Sequence, residues 1–145
     1  MFHVEFQPMD SESARAIVLW RYPPPYTCYN TPAERTAFVA LEMTKPEQRF
    51  YAAHIGAQLV GFCSFGSDGQ IPGGPYDDSA TDVGAGLHPL WTGRGHGASF
   101  LRAITAFARH TLQLGPLRVT VAENNPRALR AAINAGFSEI DILDA

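Results

Sequence analysis

Glycines at 93, 95 and 97, with Arg94 and His96 between them, stand between a short apolar run and a helical pattern. Glycine lets the backbone approach a ligand closely, and alternating glycines can point several N–H groups the same way. A helix N-terminus carries roughly +0.5 charge from aligned peptide dipoles, so glycines placed there make an anion site, most naturally for a phosphate or pyrophosphate. Arg94 and Arg102 can add positive charge. A glycine-rich turn that only tightens strand–helix packing has the same composition. Spacing excludes two familiar phosphate loops. A nucleoside-triphosphate loop needs Lys-Ser/Thr after its second glycine, and the only lysine here is Lys45. A dinucleotide loop needs Gly-x-Gly-x-x-Gly after a first strand; this one reads Gly-x-Gly-x-Gly and follows a hairpin.

The elements that must hold this loop are legible on both sides of it. Thr81 to His88 reads as a short strand leading in, and Phe100, Leu101, Ile104, Phe107, Ala108 and Leu112 line one face of the helix leading out. Leu117 to Val121 alternates as a strand. Asn125-Pro126 supplies an N-cap and first position for a helix striped by Ala128, Leu129, Ala132, Ile133 and Ala135, with Gly136 at its C-terminal cap. Upstream, His3 to Pro8 alternates as a strand, and Asp10 caps a helix expected to run to about Tyr22, before Pro23-Pro24-Pro25. Thr31-Pro32 reads as the start of a second helix reaching about Thr44. Arg49–Ile55 and Gln58–Gly66 form a hairpin around Gly56-Ala57. Phe137 to Leu143 is expected as a last strand. The breaker-rich stretch 67–79 is a long loop, the kind that is usually functional or disordered.

At 145 residues the chain is read as one domain, 1–145, with a mixed α/β or α+β pattern. With 11 basic and 14 acidic side chains, and arginines scattered rather than clustered, no nucleic-acid partner is expected. No apolar run is long enough to span a membrane and no basic-then-apolar start is present, so a cytoplasmic location is expected. Cys28 and Cys63 are expected as two free, largely buried thiols. The five histidines have no paired ligand spacing, and no metal is expected.

Taken together, Gly86-Leu87-His88-Pro89-Leu90-Trp91-Thr92-Gly93-Arg94-Gly95-His96-Gly97 resembles the cofactor motif of the GNAT superfamily of acyl-CoA-dependent N-acetyltransferases. Asn125-Pro126-Arg127-Ala128 followed by Gly136-Phe137 resembles a second motif of that family, in the same order along the chain. The resemblance implies a central, mostly antiparallel, splayed sheet of about six strands flanked by four helices, as a layered α+β fold. It implies acetyl-CoA as co-substrate, with Leu87 beside the pantetheine arm and Thr92, Gly93, Arg94, Gly95, His96 and Gly97 around the pyrophosphate. Asn125 would contact the arm, cap the helix, or do both. Strands splayed at Leu87 and Val119 would let the thioester reach an amine of a small molecule or peptide, by direct transfer in a ternary complex.

Two positions depart from the pattern. Thr92 stands where the family usually has Gln or Arg, and Ala132 stands where a tyrosine often protonates the departing thiolate. The candidates for a general base are Asp82 and Glu123, then His88 and His54. Tyr22, Tyr26 and Tyr29 are candidates for acceptor binding, and the loop acids Asp68, Asp77 and Asp78 could meet a cationic acceptor. Lack of an obvious acid and base leaves a non-catalytic acyl-CoA-binding domain, or a scaffold for interactions, as alternatives. The family usually adds another strand after Phe137–Leu143, so a missing final strand and an unusual sheet edge are expected, one a homodimer could complete.

Overall fold

Phe50–Ile55 (β2) and Gln58–Phe65 (β3) pair antiparallel around the turn at Gly56-Ala57, as their composition predicts. Glu5–Pro8 (β1) joins the outer side of β2, and Thr81–Leu87 (β4) the outer side of β3, both antiparallel. Leu117–Val119 (β5) lies parallel to β4. The computed structural model describes residues 3–138, and among these the sheet has five strands in the order β1-β2-β3-β4-β5. The strand expected up to Leu143, and the sheet edge it would form, lie outside the described residues.

The helices are Ser11–Ile17 (α1), Thr36–Met43 (α2), Gly97–His110 (α3) and Pro126–Asn134 (α4). α3 buries Phe100, Ile104 and Ala108, the i, i+4, i+8 stripe that a core-facing helix needs. They pack with Ala53, Val60, Cys63, Phe65 and Val83 on one face of the sheet. Fully burying a side chain such as Phe65 or Ile104 contributes about 1.5–3 kcal/mol. On the other face, Ala14, Ile17 and Val18 meet Ala40, Met43 and Ala52.

Two helix limits differ from expectation. α1 is capped by Asp10, whose carboxylate accepts from the Ser13 N–H at 2.7 Å, but it ends at Ile17 rather than near Tyr22. The chain tightens there through Leu19 N–H to Ala16 O and Trp20 N–H to Ile17 O, and Trp20 turns onto Phe62 and His88. Thr31-Pro32 does not cap the second helix. Pro32 is extended, a single tight turn Ala33–Arg35 follows, and α2 starts at Thr36. Cys63 is buried as expected, and burial pushes its thiol pKa up, whereas Cys28 sits exposed in the turn Thr27–Tyr29.

Three residue pairs join β4 to β5: Thr81 with Leu117, Asp82 with Arg118, and Val83 with Val119. β4 continues to Leu87 while β5 ends at Val119, so the two strands part beyond this last pair. A cavity opens at that parting.

Candidate active site

A cavity of about 670 Å³ fills the space between the parted strands and continues over the α1–α2 face of the sheet. Such a volume lies inside the ~300–1,000 Å³ range of small-molecule sites. Ala85, Gly86 and Leu87 form its β4 wall, and Val119, Thr120 and Val121 form the opposite wall.

One end is built by the glycine loop. Pro89–Trp91 makes a tight turn after β4, held by the Thr92 hydroxyl donating to the Pro89 carbonyl at 2.8 Å and by His88 Nδ1 accepting from the Leu90 N–H at 3.1 Å. Gly93 and Gly95 then take φ of +71° and +79°, a left-handed conformation that a side chain disfavours. Gly97 begins α3, whose first N–H groups have no carbonyl partner within the helix. Thr92, Gly93, Gly95 and Gly97 line the cavity. Arg94 and His96 are not among the lining residues, and the His96 ring packs on Trp91 with centroids 4.9 Å apart. Arg102 donates to the Asn134 carbonyl at 2.9 Å, closing the end of α4 rather than facing the loop.

α4 contributes the cation that sequence reading did not single out. Arg127 crosses over Gly93, with Nη1 2.9 Å from where a Cβ would sit, and stacks 4.1 Å from the centroid of the Tyr26 ring. Asn125 does two things at once. Its Oδ1 accepts from the Ala128 N–H at 3.0 Å, capping α4, and its Nδ2 donates to the Tyr29 hydroxyl at 3.0 Å.

The wall beside the loop is aromatic, joined to it by Arg127 on Tyr26. Tyr22, Tyr26 and Tyr29 all line the cavity, with Trp20 and Phe62 deeper. The Tyr22 hydroxyl donates to the Leu87 carbonyl at 2.6 Å. Burial pushes its pKa up to about 12, so it is a protonated donor at neutral pH. Asn30 holds the Tyr22 backbone from both sides, accepting from its N–H at 2.7 Å and donating to its carbonyl at 3.2 Å.

The four base candidates are not brought into the cavity lining. Asp82, 4% exposed, takes a two-pronged bond from Arg118 (Nε at 2.6 Å, Nη2 at 2.9 Å) and a third from Gln70 at 2.8 Å. Burial raises its pKa, but these bonds and the Arg118 charge outweigh that and leave it below the usual carboxylate value. Glu123 is exposed on the segment between β5 and α4. His88 is used in the turn and against Trp20, and His54 Nδ1 is buried on β2 without a hydrogen-bond partner among the described residues. The same Arg118 reaches Asp77 at 3.2 Å and stacks on Tyr76, whose hydroxyl pairs with Thr120 at 3.0 Å. The long loop is thereby pinned to β5.

Residues 4–138 match the acetyltransferase (GNAT) domain family. The chain belongs to that family. It is 28% identical over 101 residues to the N-alpha-acetyltransferase RimI of Mycobacterium tuberculosis, covering 70% of this chain and 59% of that relative. The chain therefore spans under two-thirds of the relative's length. Among solved structures, it is similar to the aminoglycoside acetyltransferase AAC(6')-Ib in complex with coenzyme A and kanamycin. The TM-score is 0.71 at 18% identity, covering 94% of this chain and 84% of that one. It is also similar to a spermidine N-acetyltransferase chimera that includes the Vibrio cholerae protein. There the TM-score is 0.65 at 15% identity, covering 95% and 82%. These structures share its fold, an α+β layer with a mostly antiparallel sheet.

In this GNAT domain the residue expected to carry the proton-donating tyrosine, Ala132, does line the cavity. It is 3% exposed, and its methyl group cannot donate a proton. Asp68 also lines the cavity, unlike Asp77 and Asp78 of the same loop.

Proposed function

We propose that the protein is an N-acetyltransferase that moves an acetyl group from acetyl-CoA to the amine of a small cationic molecule, by direct transfer in a ternary complex. One observation carries this reading: a single cavity is lined both by the glycine loop, with Arg127 of α4 over Gly93, and by Asp68 of the turn after β3. An anionic cofactor suits the first lining and a cationic acceptor the second.

In this reading the pyrophosphate sits against Thr92, Gly93, Gly95 and Gly97, where backbone N–H groups and the start of α3 favour an anion. Arg127 adds a full charge there, while Arg94 and His96 serve the loop's shape and outer surface. Leu87 and Asn125 flank the pantetheine arm at the parted strands. Tyr22, Tyr26 and Tyr29 wall the acceptor side. Asp82 is a structural partner of Arg118, and neither it nor Glu123 acts as the base. With Ala132 in place of a tyrosine, the thiolate leaves without a phenol. A thiol pKa of roughly 8.5 by analogy with cysteine makes that departure tolerable near neutral pH.

The test is thiol release from acetyl-CoA with the full chain and a panel of kanamycin, spermidine and a peptide with a free N-terminal amine. The reading expects turnover with at least one cationic small molecule, and faster than with the peptide. CoA binding without turnover across the panel would overturn it.

A further inference from the structure

Among the described residues that line the cavity, Asp68 carries the only carboxylate. It sits on the turn Ser67–Gly69 that follows β3. That turn is fixed on the sheet: the Gly66 N–H donates to the Asp82 carbonyl at 2.9 Å, and the Gly69 N–H returns to Gly66 O at 3.1 Å. A Cβ on Gly69 would lie 2.7 Å from the Val83 carbonyl carbon, so the turn lies flat against β4. The residue is open to the cavity, but its carboxyl end reaches down onto the sheet. Ser64 Oγ donates to its Oδ2 at 3.2 Å, and a Cβ on Gly84 would stand 2.7 Å from that same oxygen. Gly84 is thus the space in which the carboxyl group rests. It lies one residue past Val83, where β4 and β5 part.

We propose that Asp68 receives the acceptor's ammonium group at the strand parting and takes its proton, acting as the general base. This rests on the reading of the site as an N-acetyltransferase. An alkyl ammonium has a pKa of about 10.4, so freeing its lone pair at pH 7 costs about 4.6 kcal/mol without help. Asp68 accepts one proton from the ammonium nitrogen. The neutral nitrogen attacks the thioester carbonyl carbon, the C–N bond forms, and the C–S bond breaks with its electron pair going to sulfur. The second nitrogen proton passes to the thiolate, giving CoA thiol and the acetamide. Asp68 returns its proton to water, so each turnover releases one proton.

The surroundings suit this role. Desolvation raises the Asp68 pKa, while the Ser64 hydrogen bond pulls it down by less. A carboxylate held above its ordinary value is a stronger base toward the acceptor's proton. Ser64 from β3 and Gly84 from β4 face it and carry no charge. Asp82, on the same face of β4, is neutralised by Arg118. The other titratable groups lining the cavity are Tyr22, Tyr26, Tyr29, Arg127 and Arg130.

The experiment compares wild type with Asp68→Asn and Gly84→Ala, the latter displacing the carboxyl group without removing it, and with Asp78→Asn as control. Acceptors are n-butylamine and spermidine, both ammonium ions at pH 7, and aniline, which is already neutral there. Asp68→Asn is expected to lower kcat/KM about 100-fold with the alkyl amines and by under about threefold with aniline. Acetyl-CoA affinity should not change. Wild type should be flat through neutral pH with n-butylamine, whereas Asp68→Asn should rise with unit slope toward about pH 10.4. Gly84→Ala should follow Asp68→Asn, and Asp78→Asn should match wild type. Equal losses on alkyl and aryl amines, or no loss on either, would overturn the role of Asp68 while leaving the transferase reading intact. A wild type that releases no thiol with any of the three acceptors, nor with kanamycin or the peptide, would overturn both.

Discussion

The hydroxyl of Tyr22, in the irregular segment after α1, donates at 2.6 Å to the carbonyl of Leu87, the last residue of β4. This bond spans 65 residues of sequence and ties the acceptor wall to the strand end where the thioester would lie. Tyr22→Phe removes only the hydroxyl. A lost neutral hydrogen bond costs about 1 kcal/mol of stability, so the melting temperature should fall by about 2–4 °C, and kcat/KM should fall as the acceptor wall loosens. Steady-state thiol release with spermidine, alongside a thermal melt, checks it.

Gly93 is the tightest point of the glycine loop, with positive φ and Arg127 Nη1 2.9 Å from the place of a Cβ. Gly95 shares the positive φ but has open space around it. Gly95→Ala carries only the conformational cost, about 1 kcal/mol, or about fivefold in acetyl-CoA affinity if all of it falls on the loop's binding geometry. Gly93→Ala must also push Arg127 aside, and its affinity should fall by a further factor of about ten. Calorimetric titration with acetyl-CoA separates the two.

Asp82 and Arg118 make a stability prediction. Arg118→Ala leaves a carboxylate that is 4% exposed without its cation, and the melting temperature should fall. The sign with pH is fixed: the folded pKa of Asp82 is below its ordinary value, so its contribution is whole above about pH 4 and is lost as pH falls. Asp77, bonded first by Ser79 and then by Arg118, is lowered to about 2 and extends that loss to the same pH. The gap between wild type and Arg118→Ala should therefore narrow below pH 4 in scanning calorimetry.

Asn125 joins capping to the site. Asn125→Ala should lower stability by about 1 kcal/mol through the lost cap and also weaken acetyl-CoA binding. Asn125→Asp keeps an acceptor for the Ala128 N–H but loses the donor to Tyr29. It should keep its stability and still bind acetyl-CoA less well, as urea unfolding and calorimetry would record.

What the sequence made legible was local. Gly93, Gly95 and Gly97 announce their loop because positive φ and helix opening are properties of a few adjacent residues, and Asn125-Pro126 caps α4 for the same reason. The hairpin at Gly56-Ala57 was equally plain. The proposed base was not legible, because its setting depends on contacts far apart in the chain. Asp82 and Glu123 flank the right strands, yet Arg118, 36 residues on, claims Asp82, and Glu123 stays exposed outside the cavity. Asp68 looked like one of three loop acids until the turn after β3 was seen to lie against Gly84. Arg127 stood only inside the Asn125–Ala128 motif, because its partners, Gly93 and Tyr26, come from two other segments. α1 fell short of Tyr22, and Trp20 packs on Phe62 and His88, contacts made with distant segments that no local pattern announces.

The central claim is that acetyl-CoA lies where β4 and β5 part, with its pyrophosphate against the glycine loop. The most direct measurement is a titration of the isotope-labelled full chain with acetyl-CoA, followed through the backbone amide resonances. The largest shifts should fall on Gly93, Gly95 and Gly97, with smaller ones at Leu87 and Asn125, and β1 should be unmoved. Saturable binding that shifts other amides and leaves the three glycines in place would contradict it.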